Sequence, residues 1–414
     1  MYLVFFSWLI TRIKFFRASG LIKRWLIGLF CLKIIAGLAY GWFYSLPKYS
    51  ATSDTWFFFS EGCKETDWLL RDPLGFIKDL FHYGYAESGN IFSGENSYWN
   101  DLKSNVIIKL IAVFNVFTGK NYWANIIFFN FIFFFGPVAF YRLLSKKIDA
   151  NKILLIAAVF CIPSFLFWYS GGHKDGIIFA AFAMLIYYFN YLFEEKKINV
   201  LLLLKIALCL LILFALRNYL IILLAPALLV WYLCDAYPQK RFVIITTVYS
   251  ICIASFFLSS FLNFNLNVPE YIIERRNEFK ALGGNSQLSL PVLQPTFFSF
   301  IQYFPYAVDI AFLRPHINEI RNLAYIPAIA ENILLWTILI FILFKMIFKN
   351  KKDSSASSYK APGVIIFCYC FAISLLFLSG FTVTLTGAIV RYRAFVLPLL
   401  FAPLMSFFKL RFKK

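Results

Sequence analysis

Acidic residues are scarce in this chain, and histidine is scarcer still. Asp and Glu number 21 against 40 Lys and Arg, charged residues make up 15% of the 414, and three histidines are too few for a histidine metal cluster. Cysteine supports neither a disulfide nor a metal reading. Most of the eight lie inside apolar runs, Cys63 alone sits in a polar stretch, and their spacing gives no framework or ligand set, so all eight read as packing residues. Residues 1–20 lack a small-residue cleavage site, which removes a cleavable signal and leaves a basic segment that is interfacial or leads into a first span. The alternating period of an outer-membrane barrel is missing, as are an internal repeat and a soluble domain.

Hydrocarbon fills the chain instead. Hydrophobic residues reach 61%, with 52 Phe and a mean hydropathy of +0.72. Apolar runs of about 20 residues recur, each enough for a membrane-spanning helix. The expected fold class is all-α, a single polytopic transmembrane bundle over residues 1–414 with extracytoplasmic loop helices. The net charge of +19 would suit nucleic acid, but Lys and Arg gather at alternate ends of the spans, in 12–24, 142–152, 196–197, 240–241, 345–360 and 409–414. That is the positive-inside signature, and it implies membrane lipids and no nucleic acid as partner. With the N-terminus inside, residues 25–46 cross outward, 121–144 inward, 153–169 outward, 177–193 inward and 198–216 outward. Residues 220–234 then cross inward, 242–263 outward, 325–348 inward, 364–382 outward and 392–408 inward. These runs, of 15 to 24 residues, make about ten spans, and both termini are cytoplasmic.

One polar island, residues 49–101, interrupts the apolar chain early and falls outside the membrane. It gathers Asp54, Glu61, Glu65, Asp67, Asp72, Asp79, Glu87, Glu95 and Asp101 beside aromatic runs such as T-W-F-F-F-S. The first extracytoplasmic loop is thus 47–104. Residues 105–118 follow as a juxtamembrane helix, since the apolar stretch around Lys109 is short for a span. A second external segment covers 264–323, with a polar amphipathic run at 269–280 and an apolar run at 297–313 whose Pro305 and Asp309 suit a re-entrant or interfacial helix. Residues 349–362 form a Lys/Ser-rich cytoplasmic linker.

Ionisable groups at span ends on one face are functional candidates, because a charge at bilayer depth is costly. On the external side these are Asp54, Lys103, the turn S-G-G-H-K-D-G with His173, Lys174 and Asp175, then Arg217, Arg314, His316, Glu319 and Arg321, and Arg391 with Arg393. Arginines outside run against the positive-inside trend and suggest an anionic ligand. Each has a plainer reading. Asp54 or Ser53 serves as an N-cap; Asp175 opens a helix, favoured by its dipole; Lys174 is a solvated neighbour. Arg217 snorkels to headgroups, and the two histidines are hydrogen-bonded loop residues. Arg391 and Arg393, two apart at a helix start, diverge, so that one of them is functional. Glu331, inside a span, satisfies an internal partner such as Arg321 or a backbone group.

The order of one span, a long external loop with an early Asp, a Lys before a juxtamembrane helix, a span pair and a short turn containing Asp resembles the membrane-embedded GT-C glycosyltransferases. These include the aminoarabinose transferases and protein O-mannosyltransferases, which use polyprenyl-phosphate sugars. The matching residues are Asp54 in S-D-T-W-F-F-F-S-E, Lys103 ahead of S-N-V-I-I-K-L-I-A-V-F-N-V-F-T-G, and Asp175 in H-K-D-G, over roughly residues 25 to 235. The resemblance implies Asp54 as catalytic base, Lys103 on the donor phosphate and Asp175 as a supporting acid. Further along, P-S-F-L-F-W-Y-S-G-G-H-K-D, L-R-P-H-I-N-E-I-R-N-L-A and V-R-Y-R-A-F-V-L-P are similar to membrane proteins of bacterial surface-polysaccharide loci, which implies a bacterial inner membrane. The missing second acid after Asp54 leaves dependence on a divalent metal open.

The chemistry fits that resemblance. A polyprenyl phosphate leaves without a general acid but needs its charge held, which cations at the outer interface would do. One carboxylate suffices to take the proton of an acceptor alcohol, and a single displacement inverts the anomeric centre. The expected activity is transfer of a sugar from a polyprenyl-linked donor to a lipid-linked or surface glycan acceptor. Two alternatives stand beside it. An O-antigen or exopolysaccharide polymerase would lean on Arg314, His316, Arg391 and Arg393 rather than Asp54. A polysaccharide transporter or flippase would place cations along span interiors and show paired halves.

Overall fold

The computed structural model describes residues 1–50, 53–81, 98–195, 199–261, 267–283, 286–347 and 362–407. It is 84% helix, and among the described residues the only β pairing is an isolated bridge between Gln287 and Leu385. The main helices are α1 (Tyr2–Arg12), α2 (Lys23–Ser45), α3 (Asp54–Arg71), α4 (Tyr98–Thr118), α5 (Tyr122–Lys147), α6 (Lys152–Phe160), α7 (Pro163–Trp168) and α8 (Lys174–Glu195). Then follow α9 (Val200–Arg217), α10 (Tyr219–Ala236), α11 (Arg241–Leu258), α12 (Val268–Ala281), α13 (Phe297–Val308), α14 (Tyr325–Ile347), α15 (Gly363–Thr382) and α16 (Thr386–Leu404). Among the described residues nine of these are long and apolar enough to cross a membrane: α2, α5, α8, α9, α10, α11, α14, α15 and α16. The protein is a multi-pass helical membrane protein.

One expected span is not a continuous helix. Residues 153–169 divide into α6 and α7, with Cys161 and Ile162 between them. Pro163 explains the break, since it lacks an N–H and pushes the residue before it out of the α region; Ile162 has φ −65° and ψ 121°. The chain nevertheless climbs back along its neighbours. Phe160 packs on Phe134 and Tyr141 of α5, and Phe167 and Trp168 reach Tyr40 of α2.

The amino-terminal segment also departs from expectation. Rather than lying at the basic face, α1 runs parallel to α5, in the same chain direction: the Tyr2 hydroxyl donates to the Phe117 carbonyl and its ring meets Phe128, whereas the Phe15 carbonyl accepts from Arg142. Phe6, Ile10 and Phe16 are buried on this face. Aromatic side chains on α5 at positions 128, 131, 134 and 135 receive them. Tyr2 therefore sits at the opposite end of α5 from Arg142, which does not fit an N-terminus on the basic side. The eleven residues of α1 cover roughly 16 Å, and extended Ile13 separates them from a short helix at Lys14–Arg17.

The juxtamembrane helix is longer than its apolar stretch. It starts at Tyr98 and lies alongside α3, which it meets where Gly62 leaves room for Ile111. The amphipathic run 269–280 falls within α12, and the apolar run 297–313 is α13 followed by one π-helical turn, Asp309–Leu313. Residues 349–361 of the expected linker, with Glu87 and Glu95, lie outside the described residues.

By its contacts the chain forms two compact units, 1–146 with 159–221, and 147–158 with 222–414. The first is packed around the phenylalanines of α5, of which Phe129, Phe133, Phe134 and Phe140 are almost fully buried. The second has a core of Phe279, Leu293, Phe300, Tyr303, Ala307, Ile310, Val383 and Ile389. Lipid is as apolar as these side chains, so close packing rather than escape from water holds them together. In contrast, α11 has no buried residue, which suits a helix faced by lipid.

Candidate functional site

The turn between α7 and α8 is the most densely held polar element of the first unit. Ser170, His173 and Asp175 have no exposed surface. A Cβ at Gly37 of α2 would collide with the Ser170 carbonyl oxygen, and one at Gly171 with the Tyr40 ring, so both glycines permit an approach that any larger residue would block. From α5, Asn130 donates to the Ser170 carbonyl at 2.9 Å. From α2, the Lys33 ammonium donates to the Tyr169 carbonyl at 2.7 Å and to Ser170 Oγ at 3.0 Å. Phe133 and Phe165 present their rings to the same ammonium from about 6 Å.

Lys33 is a buried cation of this turn that the sequence by itself does not connect to it. It lies about 15 Å along α2 from Lys23, is 2% exposed, and among the described residues has no carboxylate within ion-pair distance. Its signal was present: a lysine in the middle of an apolar run, the kind of residue that membrane burial makes costly. Its position at the open end of α7 gives the reason for its survival there, since ammonium groups satisfy the last carbonyls of a helix.

Asp175 and Arg217 are brought together. Asp175 opens α8, Arg217 closes α9, and the two helices pack side by side, so that Nη2 meets Oδ1 at 2.8 Å with both side chains buried. The Asp175 backbone N–H donates to His173 Nδ1 at 3.2 Å, which makes Nδ1 an acceptor and puts the ring proton on Nε2. His173 is therefore a hydrogen-bonded part of the turn, its ring tilted against that of Tyr40 with the centroids 4.8 Å apart. Lys174, half-buried, is the first residue of α8.

Asp54 comes to this turn through its neighbour. The Thr55 hydroxyl donates to the Gly172 carbonyl at 3.0 Å and lies 2.9 Å from the Tyr122 hydroxyl. Trp56 Nε1 donates to the Gly41 carbonyl at 3.1 Å and its ring stacks on Tyr122. The N-cap of α3 is Ser53, whose side chain makes no capping bond; Asp54 is the first helical residue, exposed, where the helix dipole favours its charge. Thr55 is wholly buried while Asp54 is exposed, so a side chain held in the core stands next to an exposed carboxylate.

Much of the remaining acidity of the island is structural. Lys109 is buried between Glu65 at 2.7 Å and Asp79 at 2.8 Å, with the Trp68 and Phe76 rings each 4.3 Å away. Lys64 pairs with Glu61, and Asp72 caps the short helix Pro73–Lys78 by accepting from Gly75. Lys120 donates to Asp67 at 2.7 Å and holds that carboxyl below its ordinary range. Burial pushes the Cys63 thiol up, so it stays neutral beside Asn115. Lys103 lies half-buried within α4, past the helix start rather than ahead of it.

The second unit holds a separate network at the π-helical turn. Arg314 donates to Asp309 at 2.7 Å and Glu319 at 2.6 Å, and His316 Nε2 lies 2.8 Å from Asp309. The His316 side chain also accepts from the Glu319 backbone, which fixes Nδ1 as acceptor and leaves Nε2–H to donate to Asp309. Arg393, 6% exposed, donates to the carbonyl of Arg314 at 2.6 Å, while Asn332 and Trp336 donate to those of Leu313 and Phe312. Glu331 lies within electrostatic reach of Arg393. Arg391 is half-buried on the same helix as Arg393. Sequence reading grouped Arg314, His316 and Arg393 as anion ligands; their geometry is that of a corner held by its own carboxylates and carbonyls.

Among the described residues no three His, Cys, Asp or Glu side chains converge as a metal site requires. No protein-family model matches the chain, and neither a curated protein nor a solved structure matches it.

Proposed function

We propose that this chain is an integral membrane glycosyltransferase of the GT-C type, moving a sugar from a polyprenyl-linked donor to a lipid-linked or surface glycan acceptor, with inversion, at the external face of a bacterial inner membrane. One observation carries the reading: Asp54 is an exposed carboxylate on a helix start latched, through Thr55, to the turn that holds the buried Asp175–Arg217 pair. Asp54 is the base for the acceptor hydroxyl. Asp175 is wholly buried, so its part is to fix Arg217 and the start of α8, not to touch the acceptor. In this reading the leaving phosphate is held by Lys103 and Lys174, half-buried cations on α4 and α8. The polymerase reading is weaker, because Arg314 and Arg393 already serve internal acceptors.

The test is genetic and chemical. A deletion strain should accumulate one incomplete lipid-linked intermediate, restored by the native chain but not by Asp54→Asn, whose turnover should fall about 10²-fold or more, the range of a general base. Asp54 is an exposed first-turn residue, so losing its charge costs the fold only about 0.3–1 kcal/mol of dipole interaction and folding should survive. Full transfer by Asp54→Asn, or accumulation of complete single repeat units, would sink the proposal and favour the polymerase.

A further inference from the structure

A cavity of about 420 Å³ opens between α3 and α4, lined by Phe57, Asp79, Asn100, Asp101, Ser104, Asn105 and Ile108. Four of these lining residues fall at positions 100, 101, 104 and 105, which is one face of α4. Each is half-buried, so the face is neither packed away nor fully in water. Phe57 is 57% exposed and stands one turn after Asp54, on the same face of α3.

The composition of this face selects its ligand. Two carboxylates, Asp79 and Asp101, oppose an anion, so a phosphate or pyrophosphate is the wrong occupant. Asp79 already pairs with Lys109, and its carbonyl accepts from Asn105 at 3.2 Å, so the wall is fixed before any ligand arrives. Amides, carboxylates and a hydroxyl, with an aromatic ring presented to the same space, match a neutral molecule rich in hydroxyls that also has an apolar C–H face. That is a pyranose. The volume lies within the ordinary range for a small-molecule site, about 300–1,000 Å³.

We propose that this cavity is a saccharide subsite which holds a pyranose of the acceptor glycan, with Phe57 as its platform and the 100–105 face of α4 as its hydrogen-bonding wall. The assignment rests on the transferase reading above, and it adds where the acceptor lies. A sugar stacked on Phe57 sits one helical turn from the Asp54 carboxylate, so the wall would present a hydroxyl to the base while the donor phosphate stays with the cations.

The probe is a set of methyl pyranosides (glucoside, galactoside, mannoside and N-acetylglucosaminide) titrated into the detergent-purified full chain and followed by saturation-transfer NMR. At least one should bind saturably. Ser104→Trp fills the cavity and should abolish that binding, and Phe57→Ala should weaken it by about tenfold, the worth of one ring contact. Native thermal melting of both variants keeps misfolding from imitating the result. Failure of every pyranoside to bind, or unchanged affinity in the two folded variants, overturns the subsite. The transfer assay separates this from the transferase reading. Pyranoside binding blocked by Ser104→Trp together with full activity of Asp54→Asn would leave the subsite and remove the base. No pyranoside binding together with loss of turnover in Asp54→Asn would do the reverse.

Discussion

Asp175 and Arg217 show how a residue's role changes with its burial. In the sequence each is a charged group at a helix end, but in the structure they form a 2.8 Å pair with almost no exposed surface. Removing one partner of such a pair leaves a buried charge without compensation, at a cost of about 3–5 kcal/mol, whereas replacing both by apolar side chains is often neutral. Asp175→Asn should therefore lower the melting temperature of the purified protein sharply. The double variant Asp175→Leu with Arg217→Met should recover most of it without recovering turnover. A double variant no more stable than Asp175→Asn would show that the pair is not the source of the effect. Asp54 stands at the other extreme, exposed at a helix start whose next residue, Thr55, bonds the Gly172 carbonyl, so its substitution should lower the rate far more than the melting temperature.

At the scale of elements, the contact between α3 and α4 sets the geometry on which the proposed base depends. Gly62 makes it possible: a Cβ there would stand 2.5 Å from Ile111 Cγ2 and 2.9 Å from its Cβ. Nearby, Thr66 and Asn115 join the two helices by a 3.1 Å hydrogen bond, and Asn115 passes the connection to Asn125 of α5 at 2.7 Å. Gly62→Val should force the helices apart, costing about 1–3 kcal/mol as overpacking does. It should also reduce transfer although Gly62 lies two helical turns from Asp54. Melting and turnover equal to those of the native chain would show that the helices tolerate the shift and that their spacing does not govern the site.

For the whole molecule, the distribution of basic residues and the direction of α1 give a topology that can be measured. Tyr2 lies beside Phe117, near Lys120, and the chain descends from there to Gly20, past the Arg142 end of α5. A membrane-impermeant thiol reagent should thus reach Lys120→Cys from the face on which an amino-terminal tag is exposed, and Gly20→Cys only from the other. A tag found on the same face as Gly20→Cys would mean that α1 does not lie along α5 in the membrane. By the positive-inside pattern the Gly20 face is the cytoplasmic one.

Composition and local pattern alone determined the class of this protein and most of its helices. Runs of twenty apolar residues have few alternatives to a spanning helix, because lipid offers backbone groups no partner. The polar island and the charged turn after α7 were legible for the same reason: charge is conspicuous in a chain with so little of it. Tertiary structure decided what each charge does. Lys109 looked like a lysine stranded in an apolar helix until Glu65 and Asp79, 44 and 30 positions earlier, closed on it. Lys33 went unnoticed because its partners, Tyr169 and Ser170, lie more than 130 residues away. Arg314 and Arg393 drew attention as arginines on the wrong side of the membrane, and only the folded π-helical turn shows them answering Asp309, Glu319 and two carbonyls. Periodicity is a local property and survives in one dimension. Pairing between distant polar groups is created by packing, and it is what gives Lys109, Asp175, Arg217 and Arg314 their partners.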